Sequence, residues 1–239
     1  HRLPRPSRTR MNFDAIRESL PLYADGLWIT LQLLVVSLAA GLVAALPLAV
    51  LRVQRSRWLH GPVWCFTYAI RGTPLLVQIF LVYYGLAQFA VVRDSIAWPW
   101  LQSAWFCAWL AFAVNTCAYT TEILAGALKA TPHGEVEAAR ALGLSRVRVW
   151  RRILLPSALR RAIPAYGNEV VLMLHGTSLA SVVTLLDLTG AAREVNSRHY
   201  LPFEAFLTAG AIYLALTLAI VGVQHAAERR WLAHLRPRT

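Results

Sequence analysis

Residues 131–164 read TPHGEVEAARALGLSRVRVWRRILLPSALRRAIP. The stretch holds seven arginines and lies between two long apolar runs. It carries start and stop signals for two short helices. Thr131 followed by Pro132 is a cap followed by a first-position proline. Glu135, one turn on, suits the positive end of a helix dipole. A helix is therefore expected over about 132–142, with Gly143 just past its end, where positive φ is wanted. Ser145 is placed to cap a second helix and Pro156 to stop it. In that second helix Val147, Trp150 and Leu154 share one face. Arg148, Arg151 and Arg152 lie around the other and suit anionic headgroups at a membrane surface. The first helix differs, because Glu137, Ala138 and Ala139 set two small side chains beside one acid. Small residues let another backbone approach closely, and an acid can pair with a partner's arginine. On spacing alone, docking helix and ordinary loop stand as equal readings.

The flanking runs fix the solvent. Of 239 residues, 57% are hydrophobic and 15% charged, and mean hydropathy is +0.47. A soluble domain carries about 45–50% apolar and about 25% charged residues. A soluble chain this size has too little core to hide so much apolar surface, so a soluble enzyme is excluded and lipid is the solvent. Five segments approach the roughly 20 residues a span needs: 27–51, 74–92, 103–128, 164–186 and 203–226. They form one membrane domain over 11–239. Residues 1–10 (HRLPRPSRTR) precede Met11 and are read as an upstream or non-native extension. The first apolar run exceeds the roughly 7–15 residues of a signal-peptide core, so it is a retained span. The aromatic-rich segment 58–70 suits the headgroup level. Arg71-Gly72-Thr73-Pro74 then breaks the chain, with Thr73 placed to cap the following helix and Pro74 in its first turn.

Orientation follows from the basic residues. There are 24 Lys+Arg against 12 Asp+Glu, and Lys129 is the one lysine. Stretches 52–71, 129–163 and 227–239 hold 16 of them, against 4 in 11–26, 93–102 and 187–202. Cytoplasmic loops collect Lys and Arg, so the 129–163 loop and the C-terminus face the cytoplasm and the N-terminus faces outward. In so apolar a chain this also accounts for the high isoelectric point, near 10.6, without nucleic acid.

Most chemistry is excluded. Cys65, Cys107 and Cys117 lie in apolar stretches without a CxxC pair and read as packing residues. The sequence lacks HExxH, GxSxG and clustered metal ligands. A phosphate-binding loop needs Gly-Lys-Ser/Thr, and Lys129 stands between Leu128 and Ala130. Any ATP used must be bound by another chain.

Charge within a span costs about 2.5–3.5 kcal/mol and marks a functional candidate. Two acids qualify. Glu122 falls on one face of the third span with Asn115, Tyr119 and Gly126. Glu169 lies in the fourth span beside Asn168, with His175 two turns on. A cationic substrate needs a carboxylate in low dielectric. The competing reading for both acids, and for His175, is hydrogen bonding between helices. A proton relay through Glu122 and Glu169, as in a secondary transporter, is a further alternative, though no inverted repeat supports it.

The loop also carries a resemblance. Glu137-Ala138-Ala139, Gly143 after three residues, then Ile153, Leu155 and Pro156 after nine more, fill the EAA pattern of membrane subunits of bacterial ABC importers. Arg71-Gly72-Thr73-Pro74-Leu75 with Gln78, the run 115–122 (NTCAYTTE), Asn168-Glu169 and Thr177-Ser178-Leu179 resemble the polar amino-acid branch. Within it the chain is most similar to the histidine and lysine-arginine-ornithine permease type. His175-Gly176 departs from members with Lys followed by an acid. The resemblance covers nearly everything from Met11 onward. It implies an all-α polytopic fold of the type I ABC importer, with five transmembrane helices and a cytoplasmic coupling helix. It further implies an identical or paralogous membrane partner, two ATP-binding subunits, a periplasmic amino-acid-binding protein and a place in the bacterial inner membrane. Glu137, Ala138, Ala139 and Gly143 would couple to the ATPase, which holds ATP and Mg; this chain holds no cofactor. Glu169, Asn168, Glu122 and Tyr119 are the substrate-pathway candidates. A basic amino acid is the expected substrate, with a neutral or acidic polar amino acid as the alternative.

Overall fold

The computed structural model describes residues 13–231, so the extension expected over 1–10 lies outside the described residues. All regular structure among them is helical. A short α1 (Phe13–Glu18) leads into α2 (Leu20–Arg52), then α3 (Arg57–Arg71) and α4 (Leu75–Phe80). Two short helices, α5 (Ala90–Arg93) and α6 (Trp98–Leu101), precede α7 (Ala104–Lys129). The loop holds α8 (His133–Ala141) and α9 (Arg146–Val149); α10 (Leu155–Gly176), α11 (Leu188–His199) and α12 (Pro202–Trp231) complete the chain.

By length and apolar composition α2 and α12 can each cross a membrane alone. Two bent pairs qualify as broken spans: α3 with Leu75–Gln88, bent by 101°, and the run Arg146–Val183 with α11, bent by 48°. α7 has the length, about 39 Å at about 1.5 Å per residue. Its middle is diluted by Asn115, Thr116, Tyr119, Thr120, Thr121 and Glu122. The expected second span, 74–92, is not one helix. After α4 it widens into a π turn (Leu81–Gly85), tightens into a 3-10 turn (Leu86–Gln88) and restarts as α5. Gly85 adds no side chain to hold a regular helix there.

The expected stop at Pro156 does not occur. The chain is helical from Arg146 through Gly176, and a π turn over Trp150–Leu154 leads into α10. A proline lacks an N–H and its ring crowds the carbonyl four residues back; the wider turn relieves both. The same turn shifts the apolar face. Val147 is 65% exposed, whereas Val149 is buried. Val149, Trp150 and Leu154 line one cleft.

Neither expected threonine cap forms. Pro74 and Pro132 themselves occupy the cap positions of α4 and α8, in extended conformation. Thr73 Oγ1 donates back to Ala69 O at 3.0 Å, and Thr131 Oγ1 to Ala127 O at 3.5 Å. A hydroxyl can serve the orphan carbonyls behind it as well as the amides ahead. Ser103 does cap α7 and accepts from Phe106 N. Ser145 stands at the α9 cap without a side-chain bond. Asp187 caps α11, accepting from Thr189 N and Gly190 N at 3.1 Å each.

The core forms three layers along α2. Tyr23 packs with Leu188, Val195 and Ala205; Leu33 with Phe112, Leu174 and Val183; Ala45 with Leu124, Ala158 and Ala162. The α2–α7 pair is the most extensive. Gly41 makes it possible, since a Cβ there would strike Thr116 Cγ2 and the backbone of Ala113 and Cys117. Small residues substitute for a hydrophobic drive between helices in lipid. α12 instead leaves Phe203, Leu207, Leu214, Leu218 and Val223 exposed.

Candidate functional site

The break between α3 and α4 opens a cavity of 420 Å³. Its polar lining is Arg71 and Thr73 from the break, Asn115 and Tyr119 from α7, and Glu169 from α10; Leu172 and Met173 form part of the apolar wall. Cavities of about 300–1,000 Å³ with a few convergent polar groups are typical of small-ligand sites.

Gln78 holds the break. Its Nε2 donates to Ile70 O (2.7 Å), Thr73 Oγ1 (2.9 Å) and Thr73 O (3.1 Å). Its Oε1 accepts from Asn115 Nδ2 at 3.0 Å. One buried amide thus ties the turn to α7. The Arg71 guanidinium lies 5.1 Å from the centre of the Tyr119 ring, within cation–π range. Glu169 is 4% exposed and feels the charge of Arg71. The cavity therefore presents a fixed cation and a buried carboxylate.

The sequence-predicted residues separate. Tyr119 and Glu169 face this cavity; Glu122 and Asn168 do not line it. Glu122 Oε1 accepts from Arg52 Nε and Thr67 Oγ1, both at 2.6 Å. That pairs a charge and a hydroxyl from α2 and α3 with α7, so the single face proposed for Asn115, Tyr119 and Glu122 serves two neighbours. Asn168 is exposed on α10. His175 meets Thr217 Oγ1 of α12 at 3.1 Å and lies outside the cavity. Arg71, Asn115, Thr73, Leu172 and Met173 were not singled out as site residues. A charge at a proline break between apolar runs was the signal for Arg71.

The second region is α8, which matches the expected helix within a residue at each end. Gly143 has φ +76°, its N–H donates to Arg140 O at 2.9 Å, and Leu144 N–H donates to Ala139 O at 3.1 Å. This paired termination needs the left-handed residue that glycine supplies at lowest cost. Glu137 and Ala138 are exposed, and Leu142 is 82% exposed. Ala139 was expected to face a partner but is 3% exposed and turns into the chain. Successive helical residues lie about 100° apart, so Ala138 and Ala139 cannot share an outward face with Glu137.

Known proteins resemble the chain over most of its length. Residues 37–233 match the family described as "Binding-protein-dependent transport system inner membrane component". The histidine/lysine/arginine/ornithine transport system permease protein HisM of Escherichia coli K12 is 47% identical over 213 residues, covering 89% of this chain and 90% of that protein. The octopine transport system permease protein OccM of Rhizobium radiobacter is 49% identical over 196 residues, covering 82% and 80%. A crystal structure of an amino acid ABC transporter with histidines superposes with a TM-score of 0.83 at 32% identity, over 93% of this chain and all of that one.

Proposed function

The chain belongs to the family of inner membrane components of binding-protein-dependent transport systems, and from that premise we propose that it is the permease subunit of an ATP-driven importer of basic amino acids. It performs no chemistry. ATP binding and hydrolysis belong to a partner subunit, and a periplasmic binding protein delivers the substrate. The chain crosses the inner membrane five times, on α2, the α3–α4 region, α7, α10 and α12. Its N-terminus is periplasmic and its C-terminus cytoplasmic, as the basic loops require. Two ATPase subunits and a second membrane subunit complete the assembly.

The observation that carries this reading is the pairing of Arg71 with Glu169 across one cavity. An amino acid presents a carboxylate and an ammonium, and a basic one adds a second cation. Arg71 suits the carboxylate, as guanidinium–carboxylate pairs are strong and directional. Glu169 suits a cation that has left water. Tyr119 and Leu172 can pack against the aliphatic stem of such a side chain. The names of HisM and OccM support a substrate related to arginine or histidine. A substrate with an additional carboxylate is the second reading, and the exposed fork of Arg71 favours it. At the other end, α8 presents Glu137, Ala138 and Leu142 to the ATPase, with Gly143 setting the angle at which it does so.

The test is uptake into proteoliposomes containing this chain with its ATPase, its binding protein and any second permease. Arginine or histidine should accumulate only with enclosed or supplied ATP, and collapse of the proton gradient should not stop it. Uptake driven by the proton gradient without ATP would overturn the reading.

A further inference from the structure

Beside α8 lies a second, polar cleft of 260 Å³, lined by Glu135, Arg152, Ile153, Pro156, Ser157, Arg160 and Arg161. Three guanidinium groups converge there against one carboxylate. Glu135 engages Arg161 at 3.8 Å, and Arg161 Nε also meets Ser157 Oγ at 3.4 Å. The side chains of Arg152 and Arg160 make no hydrogen bond or ion pair among the described residues. The cleft is thus lined by two cations that no carboxylate of the described residues answers. Guanidinium pairs of this kind are the preferred partners of phosphate oxygens.

We propose that this cleft binds a phosphate group, supplied by the headgroup of an anionic phospholipid such as phosphatidylglycerol. Its position favours the lipid source. The cleft lies at the foot of α10, and Ile153 and Pro156 give it an apolar wall beside the arginines. Ala162 and Ile163 begin the apolar part of that helix within a turn of Arg160. A headgroup with its glycerol would meet cations outside and apolar side chains inward, the arrangement of headgroup pockets at membrane surfaces. The π turn before Pro156 contributes by keeping the chain helical through the cleft, so that Arg152 and Arg160 project from one continuous element. The site rests on the loop lying at the membrane surface, and it is independent of the amino acid carried. A headgroup held there would place its phosphate on the arginines of α10 and, by donating a glycerol hydroxyl to Glu135, touch the helix proposed to dock on the ATPase.

The test uses the purified complex of this chain with its ATPase in nanodiscs of phosphatidylcholine, titrated with fluorescent phosphatidylglycerol. Two variants remove equal charge: Arg152→Gln with Arg160→Gln in the cleft, and Arg148→Gln with Arg151→Gln on exposed turns outside it. The cleft variant should lose affinity about tenfold, since each basic group near an anionic surface contributes substantially, and the outside variant should retain it. Equal loss in both would overturn the site in favour of diffuse surface charge. Displacement of the lipid by millimolar inorganic phosphate would overturn the headgroup as the source. Unchanged lipid binding with release of the ATPase from the cleft variant would make the cleft a protein contact and overturn the proposal. Failure of ATP-driven uptake would leave this titration readable.

Discussion

Glu122 on α7 and Glu169 on α10 are the two acids the sequence marks as candidates within spans, and the structure gives them opposite surroundings. Glu122 is held by two donors at 2.6 Å from two other helices. Its charge is met inside the protein. Glu169 opens on a cavity whose other charged group, Arg71, belongs to the break between α3 and α4. An acid that is fully answered by its own chain ties helices together. An acid that faces a cavity keeps capacity for something that enters. Glu169 is also the more deeply buried of the two, at 4% exposed against a half-buried Glu122, so the geometry of the partners and not exposure separates framework from site.

That contrast can be broken by removing each acid. Glu122→Ala should be the most damaging change, because it leaves Arg52 without its partner in a poorly hydrated place. Breaking such a pair costs about 3–5 kcal/mol. The expected result is a lower unfolding midpoint and a smaller yield of assembled complex, with the substrate preference of the surviving fraction unchanged. A variant as stable as wild type would remove the framework role of Glu122.

A second substitution extends the comparison to α8, where Ala139 belongs to the framework and Ala138 to the outer face. Ala138→Asp should leave the chain folded and inserted. It should weaken the contact with the ATPase by about 2–4 kcal/mol, by placing an unpaired acid in a packed interface. Co-purification of the ATPase and its stimulation by the binding protein are the readouts. Wild-type values for both would take the docking face off this side of the helix. Substitution of Ala139 would test internal packing instead.

Sequence legibility divides along the same line. α8, its glycine stop and the EAA spacing are local, and they were legible because each signal acts within one turn of its neighbours. The cavity is not local. Arg71, Asn115, Tyr119 and Glu169 come from three segments, and periodicity on α7 alone grouped Glu122 with Asn115 although their side chains serve different neighbours. The errors at Thr73, Thr131 and Pro156 share a cause. A threonine before proline looks like a cap, yet its hydroxyl can turn back to a carbonyl of the preceding helix. A proline looks like a stop, yet a π turn before it carries the helix through. Five apolar runs were visible, but hydropathy does not resolve the polar middle of α7, of which Asn115 and Tyr119 line the cavity and Thr116, Thr120 and Thr121 are buried, or the broken path after α4.

The central claim is that Glu169 meets the substrate while Glu122 does not. The most direct measurement is arginine uptake per assembled complex in proteoliposomes, for Glu169→Gln and Glu122→Gln beside wild type. Glu169→Gln keeps the shape and removes the charge, so uptake should fall about tenfold, equivalent to about 1.4 kcal/mol, with assembly and basal ATP hydrolysis near wild type. Glu122→Gln should lose assembly while the complexes that form keep their uptake. Full arginine uptake by Glu169→Gln, or a loss confined to its assembly, would contradict the account.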